Sequence, residues 1–229
     1  MIYAVGDVHG CLGMLRRLLD RVQDHAADRG VDRPRVVFLG DYVDRGLNSK
    51  GVLDLLCSDD LRQRFDPVIL RGNHDQYMLQ AWRGQLVGKS LFSWLAGWGG
   101  VETVESYGVE AGRRAIDDFM PLFRAAVPEA HIRLLQGLEL TCRGDGLYFC
   151  HAGIKPNVPL DQQSERDLLF GAPDFLAYSG DHGARIVHGH WATDDVIVLP
   201  NRICVNTGAG YPGGRLAAVA IEGRDAEVL

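Results

Sequence analysis

The chain has 229 residues, 46% apolar and 24% charged, which suits a soluble globular protein of one large domain or two small ones. Lys+Arg number 24 against 30 Asp+Glu, a net charge of −6 with no long basic run, and this argues against duplex nucleic acid as a partner. No apolar stretch approaches the ~20 residues of a membrane span, and the chain enters a strand at Ile2 with no signal peptide before it, so a cytoplasmic protein is expected.

Ile2-Tyr3-Ala4-Val5 reads as a strand, and Leu12, Leu15, Leu18, Leu19 and Val22 then recur at helical spacing through Asp28. Val36-Val37-Phe38-Leu39 is a second strand, followed by a helix capped at Ser49 that carries Val52, Leu53, Leu55 and Leu56. Val68-Ile69-Leu70 is a third, followed by a helix over Gln76 to Trp82. This βαβαβα order predicts right-handed crossovers and a parallel sheet. Residues 83–135 lack strand-like alternation and read as a helical cap beside the site. Its aromatics Trp94, Trp98 and Tyr107 are expected in the cap's own core, with stacking on a base as the alternative. From Leu138 the pattern turns to strands at 138–142, 146–150, 184–188, 196–199, 202–206 and 216–221. Arg143-Gly144-Asp145-Gly146 and Pro200-Asn201 mark antiparallel hairpins. No repeat or low-complexity linker interrupts residues 1–229, so one domain is expected. The five cysteines are odd in number and have no CxxC spacing, which reads as reduced thiols.

Four of the strand-like runs stop at a short polar segment: Gly6-Asp7-Val8-His9-Gly10, Gly40-Asp41-Tyr42-Val43-Asp44-Arg45-Gly46, Arg71-Gly72-Asn73-His74-Asp75 and Cys150-His151-Ala152-Gly153. Parallel α/β sheets bind ligands at their carboxyl edge, so these ends can converge on one site. Their donors are oxygen and imidazole without thiolate, which suits Mn, Fe or Zn in a hydrolytic centre. Asp7 and His9 lie two apart and point the same way in an extended segment. Asp41 has two oxygens and can bridge two ions. Asn73 offers a neutral amide oxygen, and His151 with a later histidine would complete a second ion. Within Val187-His188-Gly189-His190, the glycine-then-ligand pattern favours His190 and leaves His188 behind it. Asp44 and His74 look like an acid–base pair, because a carboxylate fixes the tautomer of a histidine and raises its pKa. Arg45 and Arg71 flank candidate ligands, and guanidinium groups match phosphate. Two divalent ions would add roughly four positive charges, so the cleft can attract anions although the chain is acidic.

Gly-Asp-x-His-Gly, Gly-Asp-x-Val-Asp-Arg-Gly and Gly-Asn-His-Asp, followed by His-Ala-Gly and Gly-His, resemble the phosphoprotein phosphatase (PPP) family of metallophosphoesterases, above all its small bacterial and phage members such as lambda phage phosphatase. The motifs run from residue 6 to 190. The resemblance implies an α/β (α+β) αββα sandwich, two mixed sheets flanked by helices, with two divalent metal ions, usually manganese. Carried over by position, Asp7, His9 and Asp41 would hold the first ion, and Asp41, Asn73, His151 and His190 the second. His74, oriented by Asp44, would protonate the leaving group, and Arg45 and Arg71 would bind phosphate. A water bridging the ions would attack phosphorus in line. The implied substrates are phosphoserine and phosphothreonine in proteins; a small phosphorylated substrate such as diadenosine tetraphosphate is the alternative, and a non-catalytic binding module a remote one. The family's symmetrical dinucleotide hydrolases often carry Gln where this chain has His9, which favours the first. Three departures stand out: Asp75 where eukaryotic members usually have Glu, Ala172 where relatives carry a phosphate-binding arginine, with Arg166 as a possible substitute, and Trp191 where Thr is usual.

Overall fold

The first 82 residues fold into the repeated strand–helix unit that their spacing predicts: β1 (Ile2–Val5), α1 (Leu12–Ala27), β2 (Arg35–Phe38), α2 (Ser49–Cys57), α3 (Asp59–Arg64), β3 (Asp66–Ile69) and α4 (Asn73–Trp82). The computed structural model describes residues 1–111 and 114–229. Asn48, not Ser49, caps α2 by accepting the Gly51 N–H, while the Ser49 hydroxyl turns inward to the Asp44 amide. The short α3 has a single buried position, Leu61, so it leaves no apolar period in the sequence. α4 begins at Asn73, three residues ahead of the expected Gln76, and this puts Asn73, His74 and Asp75 in its first turn.

The next segment holds α5 (Gly88–Phe92), a π-helical turn over Ser93–Gly97, α6 (Gly100–Ser106), α7 (Ile116–Ala126) and α8 (Glu129–Gly137). These helices pack on α2 and α4 and extend the same helical layer. The remainder supplies β4 (Thr141–Gly144), β5 (Leu147–Cys150), α9 (Glu165–Phe170), β6 (Arg185–His188), β7 (Ile197–Val198), β8 (Arg202–Cys204), β9 (Ala218–Glu222) and β10 (Asp225–Val228). The strand expected from residue 138 starts at Thr141, because α8 runs to Gly137. α9 and β10 lie outside the expected pattern; β10 is four residues long and mostly exposed.

Two five-stranded mixed sheets result, in the orders β10-β9-β1-β2-β3 and β4-β5-β6-β8-β7. β1, β2 and β3 are mutually parallel, as are β5, β6 and β8, and antiparallel strands complete each sheet. Strand alternation builds the layers. Ile2, Ala4, Val37 and Leu39 face Phe149, Val187 and Ile203 between the sheets. Tyr3, Val5, Val36 and Phe38 face α1 and α2 on one outer side, and Tyr148, Cys150 and Ile186 face α9 on the other. This is the αββα sandwich. No helix among the described residues is long and apolar enough to cross a membrane.

Candidate metal centre

The carboxyl ends of six parallel strands meet at one edge of the sandwich. Asp7 follows β1, Asp41 follows β2, Asn73 follows β3, His151 follows β5, His190 follows β6 and Asn206 follows β8. Gly40, with φ of 107°, allows this crowding, because a Cβ there would collide with the Gly72 backbone. A Cβ at Gly72 would in turn strike the Asp41 carboxylate. His9, Asp41, Asp44, Arg45 and His190 have φ between 42° and 72°, the left-handed region that non-glycine residues rarely occupy. Such strain persists where the surrounding structure overdetermines it, as at functional sites.

The donors are buried and aimed at one another. Asp41 belongs to two groups whose donor atoms lie within 4.8 Å of one another: His9, Asp41 and His74, and Asp41, His151 and His190. His9 donates Nδ1–H to the Val43 carbonyl at 2.9 Å, which leaves Nε2 3.6 Å from the Asp41 carboxylate. His151 donates Nδ1–H to the Leu39 carbonyl at 2.9 Å, so its Nε2 faces the Asn73 amide oxygen at 2.9 Å and Asp41 at 3.4 Å. His190 Nδ1 lies 3.0 Å from that amide oxygen and 3.2 Å from His151 Nε2. The Asp7 carboxylate accepts the His190 N–H at 3.1 Å and Asn206 Nδ2–H at 2.7 Å.

His74 Nδ1 lies 2.6 Å from the Asp44 carboxylate, which also accepts Trp94 Nε1–H at 3.0 Å and the Thr103 hydroxyl at 2.7 Å. Nε2 of His74 is therefore its open atom. His74 also belongs to the first donor group, and a histidine oriented by a carboxylate suits either an ion or a transferable proton at its open nitrogen. Arg45 lies against the His9 ring, its guanidinium 4.5 Å from the Tyr211 ring centre. Arg71 is anchored to the Leu138 carbonyl at 3.1 Å and lies 3.5 Å from Glu165, while its buried Nε has no partner among the described residues.

His188 is buried with its ring edge-on to Phe175, behind the donors. Ala172 packs into the outer core with Leu168, Phe175 and Ile186, and Arg166 is exposed beside Asp167. Trp191 covers Gly171, where a Cβ would fall 2.5 Å from the indole, so this departure packs on the residue next to Ala172. Trp94 and Tyr107 are buried in the core shared with α1 and α2, not in a separate cap core, whereas half-buried Trp98 lines a groove. Two supporting residues, Asn206 and Thr103, escape the sequence reading, as do the hydrogen-bonding roles of Asp75 and Trp94. Asn206 ends the apolar run Ile203-Cys204-Val205 and so repeats the strand-end signal; Thr103 and Trp94 carry none. A separate cavity of about 790 Å³ opens at the opposite strand ends, beside Arg185, Asn201 and Arg224, and contains none of these donors.

Burial pushes His9 down to about 3 and His190 down to about 4, so both are neutral, lone-pair ligands at pH 7. Burial pushes Asp7 up to about 7. Burial also opposes a charge on His151, but the Asp41 and Asp7 carboxylates prevail and raise it to about 9. Burial works against ionised Asp41 too, yet His151 and His74 hold it well below the usual carboxylate range. Buried carboxylates, imidazole nitrogens and an amide oxygen crowded this closely are satisfied by cations, so the donor set fits a divalent centre.

Known proteins agree with this chemistry. A symmetrical bis(5'-nucleosyl)-tetraphosphatase of Paracidovorax citrulli is 28% identical over 95% of this chain and 91% of its own length. One from Pseudomonas putida is 46% identical over 80 residues, 35% of this chain; the alignment spans only 25% of that relative. Among solved structures, a putative diadenosine tetraphosphatase superposes with a TM-score of 0.68 at 23% identity, covering 100% of this chain and 92% of that one. The family model for calcineurin-like phosphoesterases matches residues 1–222. Such enzymes typically bind two divalent metal ions, and a match of that extent makes this chain a member of the calcineurin-like metallophosphoesterase family, a phosphoester hydrolase.

Proposed function

We propose that this chain hydrolyses dinucleoside polyphosphates, with symmetrical cleavage of diadenosine tetraphosphate as its leading activity. The observation that carries the substrate class is the end-to-end likeness to the Paracidovorax citrulli tetraphosphatase, on a chain that gathers Asp41 with His9 and His74 and with His151 and His190. Asp7, His9 and Asp41 would hold one ion, and Asp41, Asn73, His151 and His190 the other, with manganese the favoured metal. The ions would supply Lewis acidity and charge neutralisation for a direct attack on phosphorus. Arg45 and Arg71 bind phosphate oxygens through their guanidinium groups. His74 gives the proton on Nε2 to the leaving oxygen, and Asp44 keeps that tautomer and orientation through Nδ1.

One observation favours a second reading, hydrolysis of phosphoserine or phosphothreonine in proteins: His9 stands where the resemblance leads to Gln in symmetrical dinucleotide hydrolases. The two are separated by kcat/KM of the manganese-loaded protein on diadenosine tetraphosphate and on a phosphothreonine peptide. A preference of about tenfold or more for the dinucleotide, with ADP as the product, is expected. The opposite preference would assign the chain to phosphoproteins.

A further inference from the structure

Beside the metal centre lies an open groove of about 530 Å³, walled by Arg45, Trp98, Glu102 and Tyr211. We infer that it seats the base of a bound nucleotide, with Tyr211 as the stacking residue. The inference rests on the dinucleoside polyphosphate reading.

The groove opens off the donors, because Arg45 belongs to both: its side chain lies against His9, and its guanidinium covers one face of Tyr211 at 4.5 Å. Backbone geometry fixes this arrangement. Gly210, with φ of 86°, lets the loop carrying Tyr211 press on the ligand segment; a Cβ there would fall 2.8 Å from the His9 Cβ and 3.1 Å from the Arg45 Cβ. The Arg45 amide donates to the Gly99 carbonyl at 3.2 Å and pins the opposite wall. On that wall, half-buried Trp98 packs on Tyr77 with ring centres 4.5 Å apart, which holds the indole in place.

The chemistry changes along the groove. Its inner end carries a guanidinium suited to phosphate. Around it stand Trp98, Tyr211 and the Glu102 carboxylate. A carboxylate repels a further phosphate but accepts N–H groups, and the aromatics favour a flat, neutral partner. A phosphate followed at a short distance by a base with exocyclic or ring N–H meets all of these groups. Tyr211 is 47% exposed and so has area left to cover a base. Stacking on aromatic side chains is tolerant of base identity, so the subsite suits adenine and guanine alike, with Glu102 selecting for N–H donors.

The test compares wild type, Tyr211→Leu and Tyr211→Phe, all manganese-loaded, on diadenosine tetraphosphate and on inorganic tripolyphosphate, which has no base. ADP affinity is measured by titration calorimetry. For Tyr211→Leu, KM for the dinucleotide and Kd for ADP should rise about tenfold, with a smaller change for tripolyphosphate; Tyr211→Phe should restore both. An equal loss on both substrates, or no change in ADP affinity, would overturn the subsite while leaving the dinucleotide reading in place. A wild-type protein that ignores diadenosine tetraphosphate but dephosphorylates a phosphothreonine peptide would overturn that reading and the subsite with it.

Discussion

Asp44 is fully buried, and its carboxylate serves three donors at once: His74, Trp94 and Thr103. Such a carboxylate cannot rotate away, so the His74 ring is held with Nε2 toward the donors. Burial works against a charged His74, but Asp41 and the bond to Asp44 outweigh it and raise its pKa. As a general acid His74 must be protonated, so activity should fall as pH rises through that raised value. Asp44→Asn removes two of the raising influences, the charge and the charge-assisted bond. The alkaline limb of the kcat–pH profile should therefore move to lower pH. His74→Asn should abolish that limb and cut kcat by about 10²–10⁴-fold on a phosphothreonine peptide, and by less on a phosphoanhydride, whose leaving phosphate needs less help from an acid. An unmoved limb in Asp44→Asn would remove His74 from the role of acid. The pairing of Asp44 with His74 was legible in the sequence because both follow strand ends. Thr103 and Trp94 were not, since they lie 59 and 50 positions from Asp44 and carry no local signature.

At the scale of elements, the start of α4 governs the site. Asp75, at the third helical position, accepts the backbone N–H of Gly72 at 2.8 Å, Asp41 at 2.8 Å and Tyr42 at 2.9 Å. One side chain thus closes the helix N-terminus and clamps the loop after β2, and it explains why the helix begins ahead of its apolar period. Asp75→Ala should leave three buried donors unpaired and destabilise the fold by about 1–3 kcal/mol, read as a lower Tm by calorimetry. It should also weaken manganese binding by titration, because Asp41 is held through the same clamp. Asp75→Asn, which keeps an acceptor oxygen, should cost less. A variant with wild-type Tm and manganese affinity would refute the clamp. Read only against the usual Glu, Asp75 is a minor departure; its reach to residues 33 and 34 positions earlier gives it its importance.

For the whole molecule, the donor set joins the two sheets. Asp7, Asp41 and Asn73 come from the first sheet, His151 and His190 from the second. Ions bound here should act as clasps across the apolar layer, and binding to the native state alone stabilises it by roughly 2.7 kcal/mol at 100 Kd. Chelation should therefore lower Tm by several degrees, and manganese should restore it. The gain should be larger at pH 8 than at pH 6. Asp7, at about 7, and His151, at about 9, must release protons to bind a cation, and lower pH makes that competition harder. A manganese-induced shift in Tm that is absent or independent of pH would count against this donor set.

The sequence by itself determined the central strands, the main helices and the glycine-then-ligand ends, because hydrophobic period and turn chemistry are local properties. It also offered candidate donors, since these stand at the ends of apolar strand-like runs. Only the tertiary structure decided which donors meet: His190 reaches Asn73 across 117 positions because crossover handedness and sheet register bring their strands together at one edge. The left-handed backbone at His9, Asp41, Asp44, Arg45 and His190 was likewise invisible in the sequence, since packing imposes it against local preference. The contact between Trp191 and Gly171 has the same origin: complementary shapes in a packed interior are settled by distant neighbours, and no spacing along the chain encodes them.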